Sequence, residues 1–194
     1  MSKEDVVEFF DKEADTWDSH MVRDDRIINT ILNYADICEG TNVLDVACGT
    51  GVVIPDYLKR GAKKVIGVDI SPKMIKIALS KFHDERVEFI NADIEELVVE
   101  KCYDRYVIYN AFPHFEYPER LIRHLSESLP DGGRLTIAHS MSRKQLNKHH
   151  SGRAKGVSHN LMSEQELAAL MKPYFNVDVM VSDEEMYVVS GSKA

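Results

Sequence analysis

The stretch Val43-Leu-Asp-Val-Ala-Cys-Gly-Thr-Gly51 constrains the fold more than any other part of the chain. Its first half, with Asn42, reads as a short strand ending at Ala47. Gly49 and Gly51 have no Cβ, so the backbone there turns tightly and lies close against a ligand. A helix follows from Val52 to Arg60, and its first N–H groups have no partner inside the helix. Pro55 is tolerated only near that helix's first turn, and Gly61 is a natural stop. Strand, glycine turn and helix start, in that order, mark the crevice outside the carboxyl ends of a parallel sheet, where open α/β folds bind ligands.

The rest of the chain repeats the alternation. Two helices come first. Residues 4–19 carry Val6, Val7, Phe9, Phe10 and Trp17, and residues 24–36 carry the stripe Ile27, Ile28, Ile31, Leu32 and Ala35. Strands are expected at 64–69, 87–90, 105–109 and 134–139. Ser71 and Pro72 open a helix as N-cap and first helical residue. A second helix fills 118–129, and Ser163 with Glu166 forms a capping box for a third that ends near Pro173. Phe175, Val177, Val179 and Val181 alternate as in a half-buried strand, and Met186 to Val189 is the last one. This order predicts one domain over 1–194, with a doubly wound, mostly parallel α/β sheet covered on both faces. The last two strands are close enough to pair as a hairpin, which makes one edge antiparallel.

Charge narrows the partners. Asp and Glu total 32 against 24 Lys and Arg, a net charge of −8, which disfavours nucleic acid and anionic membranes as partners. No run of 18 apolar residues exists to span a bilayer, and the charged N-terminus lacks the apolar core of a signal peptide. Cys38, Cys48 and Cys102 are widely spaced with no CxxC, which fits reduced thiols in a cytoplasmic protein.

Polar residues recur where the strands end. Asp69 closes the second strand, where a carboxylate can accept both hydroxyls of a ribose. Asp93 follows the third strand within Asn91-Ala-Asp-Ile-Glu, and Asn110 ends the fourth. All point to one rim. The nicotinamide fingerprint G-x-G-x-x-G fails, because its glycine positions would be Ala47, Gly49 and Val52. No Gly-Lys-Ser/Thr follows the turn, so a P-loop is excluded.

With these residues the sequence resembles the class I S-adenosylmethionine (SAM)-dependent methyltransferases, over roughly residues 40–140. Val43 to Gly51 looks like the family's first motif, with Ala47 in place of its first glycine. Val65-Ile-Gly-Val-Asp-Ile-Ser-Pro-Lys-Met74 looks like its second-strand motif. The resemblance implies a Rossmann-like sheet of seven strands with the last antiparallel. It implies that Asp45, Ala47 and the Gly49-Thr50-Gly51 backbone hold the methionine part of SAM. Asp69 would hold the ribose, Ile70 and Met74 would border the adenine, Asp93 would accept from its amino group, and Ile94 would lie near the ring. The Asn110 backbone would contact the amino-acid end. The segment Phe9 to Asp18 resembles the lid helix of small-molecule members, which makes 1–38 an N-terminal helical lid. Nucleic-acid amino-methyltransferases carry Asp/Asn-Pro-Pro-aromatic after the fourth strand, and Asn110-Ala-Phe-Pro breaks that pattern. The implied reaction is in-line methyl transfer from SAM to a small-molecule acceptor.

Histidines supply candidates for the acceptor side. His114 follows the fourth strand and His139 ends the fifth, and in the resembled fold both places face the acceptor. They are the candidate catalytic residues, although a base is needed only if the acceptor loses its proton late. Trp17, His20, His114, His139, Arg143, His149 and His150 are candidates for acceptor binding. Residues 141–160 carry five basic side chains and no acid, and form an acceptor-side cap. Three readings of this segment stay open: a solvated loop, an anion clamp for a carboxylate or phosphate acceptor, and a transition-metal site built from His114, His139 and some of His149, His150 and His159. The last would suit a thiol acceptor. It also leaves a second function open, a non-catalytic protein that binds SAM or its product together with a metal.

Overall fold

The computed structural model describes residues 2–150 and 156–194, with the side chains of His149 and His150 outside that description. Eight α-helices and seven strands alternate among the described residues. Helices α1 (Lys3–Glu13), α2 (Trp17–His20) and α3 (Asp25–Tyr34) precede β1 (Asn42–Val46). Then come α4 (Ile54–Lys59), β2 (Lys64–Asp69), α5 (Pro72–Lys81), β3 (Val87–Asn91) and β4 (Arg105–Tyr109). The chain continues through α6 (Pro118–Ser128), β5 (Arg134–His139), α7 (Arg143–His150), α8 (Glu164–Met171), β6 (Phe175–Ser182) and β7 (Tyr187–Lys193).

The strands form one sheet in the order β3-β2-β1-β4-β5-β7-β6. The first five run parallel, and β7 is antiparallel to both β5 and β6. The strand order reverses between β1 and β4, so the crevice opens at the carboxyl ends of β1, β2 and β4. Each face is covered. Leu44, Val46, Tyr106, Ile108, Leu135 and Ile137 pack under α6 and α8, against Leu121, Leu125 and Leu167. On the other face Val43, Val65 and Val107 pack under α3 and α4, against Ile28, Leu32 and Tyr57. That two-sided burial explains why β1 and β2 read as nearly continuous apolar runs.

Local chemistry sets the helix ends. Ser71 accepts from the Met74 N–H, and Ser163 and Glu166 close the expected capping box. Ser2 and Asp5 form a second capping box at the start of α1. Asp24 caps α3 through the N–H groups of Arg26 and Ile27.

Four expectations change. The first helix is interrupted: a 3-10 turn at Ala14–Thr16 separates α1 from α2 and folds Trp17 back onto Phe10, with ring centroids 5.5 Å apart. The last two strands do pair as the expected antiparallel hairpin, but the antiparallel strand β7 is one in from the edge, and β6 is the edge. β7 is inserted between β5 and β6 and runs to Lys193, longer than Met186 to Val189. Its later residues are small and polar, but Ser190 is buried with its hydroxyl 2.7 Å from that of Thr136, and Gly191 lies against the Asn176 carbonyl too closely for a Cβ. The 141–160 segment contains α7, anchored by the buried Leu146 and by Ser142 at its start.

Candidate active site

Strand geometry brings the polar rim together. Asp45, Asp69, Asp93 and Asn110 line one cavity at the carboxyl ends of β1 to β4. Ala47, Gly49, Ile70, Met74 and Ile94 line it too. The turn after β1 depends on left-handed backbone: Ala47 has φ +56°, Gly49 +55° and Gly51 +83°. A Cβ on Gly49 would meet nothing within 4 Å, so this turn leaves open space beside its backbone. Gly51 differs, because a Cβ there would come within 2.6 Å of the Phe82 ring. Its role is close packing of the turn on the end of α5, and it does not line the cavity. Thr50 is also set back. Its buried hydroxyl donates to Asp18 Oδ1 at 2.5 Å.

Asp69 is the most fully positioned of the carboxylates. One oxygen accepts the Gly49 N–H at 2.8 Å and the other the Ser71 N–H at 2.8 Å. Burial raises its pKa, and those two backbone hydrogen bonds oppose the rise. Asp45 lies deeper, beneath the turn. Burial pushes its carboxyl up to about 7, the Tyr57 hydroxyl at 3.2 Å counteracts this, and the neighbouring Asp69 charge adds to it. Asn110 sits at φ +56° and spends its side chain on β5, accepting from the Ser140 N–H at 2.9 Å and donating to Ser140 Oγ at 3.0 Å. The residues present fit a nucleoside bearing a charged amino-acid tail. Two carboxylates at the ends of β1 and β2, an open glycine backbone and the Ile70 and Met74 side chains surround the same space.

The N-terminal helices lie across this cavity, and Lys3, Val6, Phe10, Trp17 and Met21 line it. Three polar attachments hold them. Lys3 pairs with Asp93 and approaches Glu96 at 3.4 Å. Asp11 accepts from Ser71 Oγ at 2.5 Å and from the Lys73 N–H at 3.2 Å, at the start of α5. Asp18 accepts from Thr50 and from Lys81 Nζ at 2.6 Å. Sequence reasoning missed these charged residues, because nothing in their spacing shows which distant groups they meet.

The expected acceptor-side residues separate. His114 lines the cavity, with the Phe10 ring edge-on to it at 4.9 Å. Its Nδ1 lies 2.7 Å from the Val157 carbonyl. A carbonyl only accepts, so Nδ1 carries a proton. His139 is fully buried beside the Tyr187 ring and is not part of the lining. His20 is exposed. Arg143 donates to the Leu161 carbonyl at 3.0 Å, and the exposed His159 is held through its backbone N–H on the Pro113 carbonyl at 2.8 Å. The His149 and His150 side chains, expected at the acceptor or on a metal, lie outside the described residues. Among those described, no three His, Cys, Asp or Glu side chains gather as a metal site requires. The 156–161 stretch is thus clamped between α7 and the turn after β4.

Comparison with known proteins agrees with this geometry. Residues 43–133 match the methyltransferase domain family. A malonyl-[acyl-carrier protein] O-methyltransferase of Acetivibrio thermocellus is 30% identical over 132 residues, 66% of this chain and 47% of that protein. A ubiquinone biosynthesis O-methyltransferase of Coxiella burnetii is 28% identical over 143 residues, 70% of this chain and 61% of that protein. The chain therefore spans about half the length of the curated relatives it matches. Among solved structures, the magnesium protoporphyrin IX methyltransferase of Synechocystis with bound S-adenosylhomocysteine (SAH) superposes with a TM-score of 0.75. It is 18% identical, with 100% of each chain covered, a likeness of fold. The matched domain, the sheet order with its antiparallel β7 and the polar rim agree: residues 43–133 match the methyltransferase domain family, and the chain has the fold of the class I SAM-dependent methyltransferases.

Proposed function

We propose that this chain transfers a methyl group from SAM to a small-molecule acceptor by in-line displacement. The observation that carries the reading is the convergence of Asp45, Asp69, Asp93 and Asn110 on one cavity that His114 and the aromatic rings of Phe10 and Trp17 also line. SAM supplies a methyl group already activated by its sulfonium. In this reading the Gly49 backbone and Asp45 hold the amino-acid end, Asp69 the ribose hydroxyls, and Asp93 the adenine amino group. Phe10, Trp17 and Met21 exclude water and restrict the acceptor's orientation. Such positioning is worth ~7–11 kcal/mol in the best intramolecular systems. His114 Nε2 takes the acceptor's proton, its ring held by the Val157 carbonyl.

Two relatives are named O-methyltransferases, so a hydroxyl or carboxylate oxygen is the first acceptor class to test. The stretch 156–161 bears on that choice through His114, because the Val157 carbonyl holds the ring that lines the cavity. No helix among the described residues is long and apolar enough to cross a membrane.

Trp17 is the single tryptophan, so its fluorescence reports binding at the cavity directly. The expected result is saturable quenching by SAH, followed by transfer of labelled methyl to a member of a panel of phenols, carboxylates, amines and thiols. No SAH binding would overturn the cofactor reading. Tight binding with no transfer to any of the four classes would favour the non-catalytic alternative.

A further inference from the structure

Glu95 is a buried carboxylate in the cavity lining that the reaction above does not use. Its side chain is 4% exposed. Among the described residues its Oε1 has no hydrogen-bond partner, and the nearest cation to it is Arg120, with Nε at 3.8 Å. Its other oxygen lies 3.5 Å from Lys3 Nζ. An under-satisfied buried carboxylate is costly, and a protein that keeps one gains from it elsewhere.

Lys3 explains the arrangement. It belongs to the first turn of α1, yet it reaches across the cavity to pair with Asp93. Burial opposes its charge, but Asp93, Glu95 and Glu96 together hold its pKa above the ordinary value. Asp93 is the carboxylate assigned above to the adenine amino group. Its Oδ1 already accepts the Glu95 N–H at 2.9 Å, and its Oδ2 is the oxygen that Lys3 holds. An ammonium and an amino group both only donate, and Lys3 sits on the one Asp93 oxygen not already bonded to a backbone N–H, so both are drawn to Oδ2.

We infer that Glu95 is a positioning residue for the cofactor: when the adenine amino group takes Asp93, Lys3 passes to Glu95, and α1 stays fastened over the bound nucleoside. The inference rests on the proposed placement of adenine at Asp93. The transfer is short, because Lys3 already lies within 3.5 Å of its destination. It keeps one ion pair between α1 and the residues after β3 throughout, so binding need not break the lid attachment. It also gives the site a reason to prefer adenine over hypoxanthine. A 6-oxo group cannot donate to Asp93, so it has no means of displacing Lys3.

A double-mutant cycle tests this. SAH affinity is measured by Trp17 fluorescence and by titration calorimetry for the wild-type chain, Glu95→Gln, Lys3→Met and the double variant. Thermal melts confirm folding. Glu95→Gln alone is expected to weaken SAH about tenfold, because Lys3 loses its charged destination and stays on Asp93. In the Lys3→Met background the same change is expected to cost less than twofold, since no ammonium needs relocating. Lys3→Met alone is expected to bind SAH at least as tightly as wild type. S-inosylhomocysteine is expected to bind weakly, and with equal affinity to wild type and Glu95→Gln. An equal penalty in both backgrounds would show that Glu95 acts independently of Lys3 and overturn the inference. So would the absence of a penalty, or a Lys3→Met variant more than twofold weaker, which remains decisive if Glu95→Gln does not fold. Failure of the wild-type chain to bind SAH is a separate outcome, which removes the cofactor reading itself.

Discussion

Replacing Asp45 by Asn should remove a pH dependence of stability that the wild-type fold carries in its core. Asp45 is 2% exposed, and its carboxyl rises from an ordinary 3.8 to about 7, chiefly because burial disfavours the charge. Between those values the folded chain holds a proton that the unfolded chain has released. Stability therefore falls as the pH rises through that window and levels off above 7. A shift of about three pH units corresponds to about 4 kcal/mol lost in full, of which about 2–3 kcal/mol falls between pH 5 and 8. Asn keeps the shape and cannot ionise. Urea unfolding of both proteins at pH 5, 6, 7 and 8 should show the variant gaining on wild type by about 2–3 kcal/mol across the series. Other titrating groups largely cancel in the difference. A stability difference independent of pH, or one that shrinks as the pH rises, would refute the assignment of that proton to Asp45. The same residue predicts ligand behaviour: it holds an ammonium only when ionised, so wild-type SAH affinity should rise between pH 6 and 8, and the variant's should not.

Further outcomes are expected at the turn and rim. Asp69→Ala should weaken SAH by on the order of 1.5–3 kcal/mol, as loss of charge-assisted bonds does, and unchanged affinity in a folded variant would remove its ribose role. Ala47→Gly should raise stability by about 1 kcal/mol, because alanine is strained at a φ of +56° and glycine is not; a lower melting temperature would contradict this. Gly51→Ala should cost about 1–3 kcal/mol in denaturant, since its Cβ meets Phe82 at 2.6 Å in a left-handed backbone. His114→Gln should abolish methyl transfer while leaving SAH affinity within about twofold, the loss of a proton acceptor without loss of the cofactor contacts. Surviving turnover would show that the acceptor needs no base at this position.

Much of the fold was legible in the sequence because its signals are local. The glycine turn, the Ser71 and Ser163 caps and the periodicity of α3 and α6 each depend on residues within a few positions of one another. The parallel sheet follows from their order, since parallel strands need crossover connections. The polar rim was legible for the same reason: residues at successive strand ends must share one edge of the sheet. Less local features were harder to read. Gly191 and Ser190 look too small and polar for a buried strand, and only the close approach of β6 and the hydroxyl of Thr136 make them suitable.

What tertiary structure alone decided is which distant charges meet. Sequence could place His114 and His139 at strand ends, but not show that one lines the cavity while the other is buried against Tyr187. The pairing of Lys3 with Asp93 spans 90 residues, and that of Asp18 with Lys81 spans 63. Hydrophobic periodicity is repeated along an element and can be read from it. An ion pair between two elements is a single contact, set by how those elements pack, and it leaves no period in the chain.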